Sequence, residues 1–183
     1  MNLIITIVKR NIVKSQKITL ENIINVISIL LSVLILFITA NQKFQNYKLL
    51  IETTRLVIGG TVLGGITTTM LLGHWYLVQP GLTRKPISKL TKTFIFVLLV
   101  DILLWLLPKS MFHVINGTIS DGWGGTLGYM WIGSCVTTLA LLIAAYKALQ
   151  EKSYSAVMAT TGLLYLAILV SNGVELIPRA IFS

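Results

Sequence analysis

Charge is scarce in this 183-residue chain: Asp, Glu, Lys and Arg make up 11% of it, against about a quarter in soluble domains. That scarcity excludes a water-soluble globule. An apolar content of 55% excludes intrinsic disorder, which needs low hydrophobicity and high charge. Cysteine is nearly absent, and the single Cys135 excludes an intramolecular disulfide and a cysteine-built metal cluster. Acidic residues are few, six against fifteen basic ones, for a net charge of +9. No nucleophile–base pair, phosphate-binding glycine loop, zinc-ligand spacing or paired carboxylates stand out, so neither a hydrolase nor a metal site is expected. On so apolar a chain the basic excess points to cytoplasmic loops and anionic lipid, not to nucleic acid.

What is abundant is long apolar sequence, with a mean hydropathy of +0.83. Five stretches of bilayer-spanning length run from about Ile18 to Ala40, Thr54 to Val78, Thr91 to Leu107, Thr126 to Tyr146 and Ser155 to Leu176. None alternates with period two, which argues against a β-barrel. Helices satisfy their own backbone in hydrocarbon. The expected fold is an all-α integral membrane protein, one membrane domain over residues 1–183, forming a bundle of five transmembrane helices with antiparallel neighbours.

Lysine and arginine set the orientation. Lys9, Arg10, Lys14, Lys17, Arg84, Lys85, Lys89, Lys92, Lys147 and Lys152 fall on one side, and Lys43, Lys48, Arg55, Lys109 and Arg179 on the other. Ten against five places the N-terminus in the cytoplasm and the C-terminus outside, at a bacterial cytoplasmic (inner) membrane. If Arg55 and Lys109 snorkel from helix ends, the bias is stronger still. Residues 1–17 put apolar residues ahead of their charges, the reverse of a signal peptide. A short amphipathic helix on the cytoplasmic leaflet is expected there. The two larger extramembrane pieces, about Asn41–Glu52 and Ser110–Gly125, are too small to fold alone. The second is rich in turn formers and reads as a loop returning the chain.

Asp101 is the sharpest signal, one acid in the middle of Phe94–Trp105. At bilayer depth it costs about 2.5–3.5 kcal/mol on insertion scales, so it must be paired, hydrated or protonated. It reads either as a proton or cation relay or as a polar clip holding Thr137, Thr138 or Tyr165. No second acid is expected at that depth, because Asn172 and Glu175 fall near the outer end of the fifth stretch.

The second stretch carries small residues at helical spacing. Gly60 and Gly64 form a GxxxG, and Gly65, Thr69 and Gly73 continue the spacing of four, with Thr68 beside them. Gly60, Thr67 and His74 share a face that lets another helix or a flat cofactor approach. His74 is then expected on the packed side, as a packing histidine, a quinone partner or a haem ligand. His113 belongs to the opposite membrane face, roughly 25–30 Å away by bilayer thickness, which excludes a bis-histidine haem. A His–Met haem using Met70 or Met158 stays open, as does a ligand supplied by another subunit, but single-histidine ligation has no supporting motif, so no haem is expected from this chain alone; quinone or lipid remains open. Trp75 and Tyr76 at the inner interface, and Trp105 and Trp123 at the outer one, read as an aromatic belt. Cys135 reads as a small buried residue.

The run Gly73-His74-Trp75-Tyr76-Leu77-Val78-Gln79-Pro80, followed by Arg84-Lys85-Pro86, resembles a segment of uncharacterised bacterial multipass membrane proteins. The resemblance covers about a tenth of the chain and implies no activity. It draws attention to this corner as a place for a site. Three functions are expected to compete: a non-catalytic integral subunit of a larger respiratory or photosynthetic membrane complex, a small proton or cation transporter using Asp101, and a quinone- or haem-associated redox protein centred on His74. The partners implied are the bilayer and other membrane subunits or further copies of the chain.

Overall fold

The structure, a computed structural model, describes residues 47–79, 83–107, 111–151 and 153–182, with scattered positions between 23 and 38. The basic segment 1–17, most of the first expected span, Pro80 and Lys109 lie outside the described residues. Every described residue in an ordered element is helical, and none is in a strand. The chain divides into two compact units, residues 1–54 and 55–183. In the first, the described positions between 23 and 38 are helical and present Ile23, Val26, Ile27, Leu30, Leu31, Leu34 and Ile38 outward.

Among the described residues five helices follow: α1 (Tyr47–Val78), α2 (Lys85–Leu106), the short α3 (Met111–Ile115), α4 (Thr126–Ala148) and α5 (Tyr154–Phe182). Three are long and apolar enough to cross a membrane, over Ile51–Val78, Thr126–Ala148 and Tyr154–Phe182. The chain is therefore a helical membrane protein. At 1.5 Å per residue, the 22 residues of α2 would cover about 33 Å, enough to span. Lys85, Lys89, Lys92 and Asp101 interrupt its apolar run, so composition does not mark it as a span.

Helix boundaries run past the expected ones. The first begins seven residues before Thr54, the second six before Thr91, and α5 continues six beyond Leu176. Pro86 opens α2 in its first turn, where the missing N–H costs nothing. The Ser110–Gly125 piece is more than a loop, since it contains α3 and a built start for α4. There Gly125 takes φ 87°, a left-handed conformation that glycine adopts without penalty. The Asp121 carboxylate accepts the N–H groups of Trp123 (2.9 Å), Gly125 (2.8 Å) and Leu127 (2.9 Å). Those donors, Gly125 first and then Trp123 and Leu127, hold Asp121 below the usual carboxylate range.

Close approaches fix how the helices run within residues 55–183. A Cβ on Gly65 would lie 1.9 Å from the Phe94 ring, and one on Gly73 would meet Thr161 and Ile87. At the other end of α1, Arg55 bonds carbonyls at the end of α2, so α1 and α2 are antiparallel. Gly59 against Glu175 and Gly73 against Thr161 make α1 antiparallel to α5. α4 and α5 form the tightest pair, with Trp131 bonded to Val174 and Thr160 to the Ala145 carbonyl. Inside lipid no water drives apolar surfaces together, so such close backbone approach carries the association.

The face of α1 that enters this bundle is not the one the GxxxG suggests. Val62, Gly65, Ile66, Thr69, Gly73 and Tyr76 are buried, while Gly60, Gly64, Thr68, His74 and Trp75 are exposed. At about 100° per residue the two sets occupy opposite sides. The side bearing Val62 and Ile66 fills the bundle, and Gly65 admits the Phe94 ring. The threonine hydroxyls of Thr61, Thr67, Thr68 and Thr69 are satisfied within α1, each bonded at 2.7 Å to the carbonyl four residues earlier.

Candidate functional site

At the bundle end where α1 begins and α2 and α5 finish, four charged side chains meet. Arg55 comes from α1, Asp101 from α2, Glu175 and Arg179 from α5. Arg55, Asp101 and Glu175 are 5%, 0% and 2% exposed. Charges at such burial need partners, and each position has a structural cause.

Arg55 does not snorkel. Its Nε and Nη2 donate to the Leu104 carbonyl (3.1 and 3.0 Å), and Nη2 also reaches the Leu107 carbonyl at 2.6 Å. The Leu104 carbonyl belongs to the last turn of α2, which lacks intrahelical donors and carries the negative end of the helix dipole, and Leu107 is the extended residue that caps it. The guanidinium also lies 4.5 Å from the centroid of the Trp105 ring, within cation–π range. Trp105 is thus buried at 2% exposure and is no interfacial anchor. Tyr76 is likewise buried, its hydroxyl donating to the Thr83 carbonyl at 2.8 Å. Trp75 and Trp123 are exposed.

Asp101 faces Glu175. The two carboxyls are within hydrogen-bonding reach of each other, in the field of Arg179 and Arg55. Among the described residues, none donates to Asp101 Oδ1, Asp101 Oδ2 or Glu175 Oε1. Glu175 Oε2 is held by Arg179 Nη2, and Arg179 Nε donates to the Glu175 carbonyl at 3.2 Å. Room for the Glu175 carboxyl exists because position 59 is glycine: a Cβ there would lie 2.1–2.4 Å from its atoms. Cys135 of α4 is buried close to both acids.

This arrangement corrects two expectations. Glu175 is not at a hydrated helix end, because α5 runs on to Phe182 and places it inside the bundle, making it the second acid beside Asp101. The clip partners fail as well: Thr137 and Tyr165 are exposed, and Thr138 gives its hydroxyl to the Ser134 carbonyl at 2.8 Å. Sequence reasoning also misses Pro178 and Trp131. Pro178 lies inside α5 and cannot donate to the carbonyl four residues back, that of Val174. Trp131 Nε1 takes that role at 3.1 Å. A signal exists in the sequence, since a proline four residues after Val174 leaves a carbonyl that a buried indole suits.

The expected corner at the opposite end is tied together rather than open. Tyr154 donates to the Leu77 carbonyl at 2.7 Å. Arg84 bonds the Glu151 carbonyl and, at 3.1 Å, the Ser153 carbonyl. His74 points outside the bundle and His113 pairs with Thr118 Oγ1 at 3.0 Å. Among the described residues no cluster of His, Cys, Asp and Glu has metal-binding geometry.

Two carboxyls in contact can do one thing that neither does alone. An ionised carboxylate only accepts hydrogen bonds, so a contact between two is satisfied when one of them carries a proton. The site is chemically suited to hold and exchange that proton. Comparison with known proteins adds no precedent: no family model, no curated protein and no solved structure matches the chain.

Proposed function

We propose that this chain is a proton-exchanging multi-pass protein of the bacterial cytoplasmic membrane, with the Asp101–Glu175 pair as its working centre. The observation that carries the reading is the contact between two buried carboxyls, with one guanidinium, Arg179, bonded to Glu175. Intramembrane acids of this kind mark proton and ion pathways. In this reading the chain crosses five times, with its N-terminus in the cytoplasm and its C-terminus outside. Arg55 supports that orientation, since it is engaged inside the bundle. The exposed Lys85, Lys89, Lys92 and Lys147 then gather at the other, cytoplasmic end.

Reconstitution into liposomes enclosing a pH-sensitive dye tests the reading. Proton flux above that of empty vesicles is expected from the wild type, and its loss is expected in Asp101→Asn and in Glu175→Gln, because amides cannot titrate. Equal flux in all three proteins would reject it.

A second reading, membership of a larger respiratory or photosynthetic membrane complex, is favoured by the outward face of α1. Cβ atoms on Gly60 and Gly64 would meet nothing within 4 Å, and glycine-lined exposed faces in membranes receive other helices. A proton-handling subunit would satisfy both readings. Native mass spectrometry of the gently extracted protein, wild type against Gly64→Leu, decides: a defined assembly lost in the variant supports it, and a monomer in both rejects it. The redox reading centred on His74 gains no support from a side chain that faces away from the bundle.

A further inference from the structure

We infer that the outward stripe of α2 formed by Lys85, Lys89, Lys92, Phe96, Leu99 and Leu103 is a binding face for an acidic phospholipid of the leaflet at that end of the bundle. The inference stands apart from the proton site and uses the other side of the same helix. Alternating steps of four and three residues keep these positions within about 40° of one line along an α-helix. All of them are exposed, Phe96 by 67% and Leu103 by 56%. The buried residues of α2, namely Ile87, Thr91, Leu98, Asp101 and Trp105, lie on the opposite side.

Charge and apolar surface divide the stripe in two. The lysines spread over about 10 Å of helix axis, and from Lys92 to Leu103 the apolar side chains continue for about 16 Å, at 1.5 Å per residue. One leaflet's share of the hydrocarbon core is about 15 Å. An acidic phospholipid carries the same division, with a phosphate above and acyl chains of one leaflet's depth below. Lysine side chains lay their methylenes along such chains and lift their ammonium groups to the phosphate.

The bundle itself offers these lysines little negative charge. Among the described residues no carboxylate pairs with any of the three, and Glu151, beside Arg84, is the one acid at this end. Nor do they serve the helix that carries them. Cations near a helix N-terminus oppose its dipole, yet α2 has no acid in its first turn, and its N-cap, Arg84, makes no side-chain capping bond. The Arg84 guanidinium is turned to the Glu151 and Ser153 carbonyls instead. A local conflict of this kind at a surface is resolved by an anion from outside. A neutral headgroup would leave the ammonium groups unbalanced, and a soluble anion would leave Phe96, Leu99 and Leu103 without a partner. An acidic lipid satisfies both halves of the stripe.

Native mass spectrometry of the full chain in micelles, titrated with phosphatidylglycerol and with phosphatidylcholine of identical acyl chains, tests the face. The wild type is expected to prefer phosphatidylglycerol by about tenfold or more, since each lysine near a membrane surface favours acidic headgroups by about fivefold. Combining Lys85→Gln, Lys89→Gln and Lys92→Gln should abolish the preference. Lys147→Gln, which removes a charge at the same end but on α4, should keep it. No preference in the wild type would overturn the proposal, as would a preference that survives the triple substitution or one that Lys147→Gln abolishes equally. Full displacement of the lipid by glycerol 3-phosphate would also overturn it, assigning the lysines to a soluble anion. If the triple variant does not fold, Lys89→Gln decides alone: a preference reduced about fivefold supports the face, and an unchanged one overturns it.

Discussion

The Val174 carbonyl accepts the indole N–H of Trp131 across the interface between α4 and α5, at 3.1 Å. In an uninterrupted helix that carbonyl would accept from residue 178, which here is proline. Trp131→Phe should therefore destabilise the protein by about 1 kcal/mol, a typical net value for one hydrogen bond. In a Pro178→Ala background the same change should cost clearly less, because the alanine supplies the missing N–H. Unfolding in mixed detergent micelles, run as a double-mutant cycle, reads the coupling. A cycle that closes with no coupling would show that the two residues are independent.

Adjacent glycines on α1 should respond oppositely to alanine. At position 59 the new methyl group collides with the Glu175 carboxyl, and at 60 it meets nothing within 4 Å. Gly59→Ala should cost on the order of 1–3 kcal/mol as an overpacking change. Gly60→Ala should be neutral or stabilising by up to about 1 kcal/mol, through helix propensity. Thermal melts of the two variants in the same detergent suffice.

Arg55→Lys keeps the charge and should still fail to replace arginine. A lysine ammonium lacks the planar fork that reaches both Leu104 and Leu107 and lies over Trp105. A loss of about 1.5–3 kcal/mol is expected, the range for hydrogen bonds to charged groups. Quenching of tryptophan fluorescence by a water-soluble quencher should increase, because the end of α2 loosens above Trp105.

Asp121 gives a pH signature outside the membrane. Its carboxylate is held below the usual range by three backbone donors, so its contribution is present above the unfolded carboxylate value, about 3.9. That contribution disappears as pH falls through the lower folded value. Asp121→Asn should lower the melting temperature at neutral pH, and the gap from wild type should close in strong acid. A gap independent of pH would assign the effect to shape rather than charge.

Much of this can be read from residue order, and the failures have physical causes. Asp101 is conspicuous because one acid in an apolar run has few explanations. Glu175 is misplaced by sequence because Pro178 and Arg179 resemble a helix end, whereas Trp131 allows α5 to pass through the proline. Arg55 and Trp105 each suggest the membrane surface by residue type. Only their juxtaposition across two helices turns them into a buried stacked pair. Periodicity finds both small faces of α1 but does not say which one the bundle uses. That choice depends on Phe94, Thr161 and Glu175 on other helices.

The separation between Asp101 and Glu175 also bears on how the protein is made. Glu175 is synthesised 74 residues after Asp101, a delay of about 4–15 s at 5–20 residues per second. Throughout that interval the newborn α2 has its acid at the insertion machinery without the companion it will have in the finished bundle. Arg55, made earlier, can meet the end of α2 as soon as the first hairpin closes. Biogenesis thus has an ordered dependency: the front half must be retained until α5 arrives, and truncation before Glu175 should send the remainder to membrane quality control.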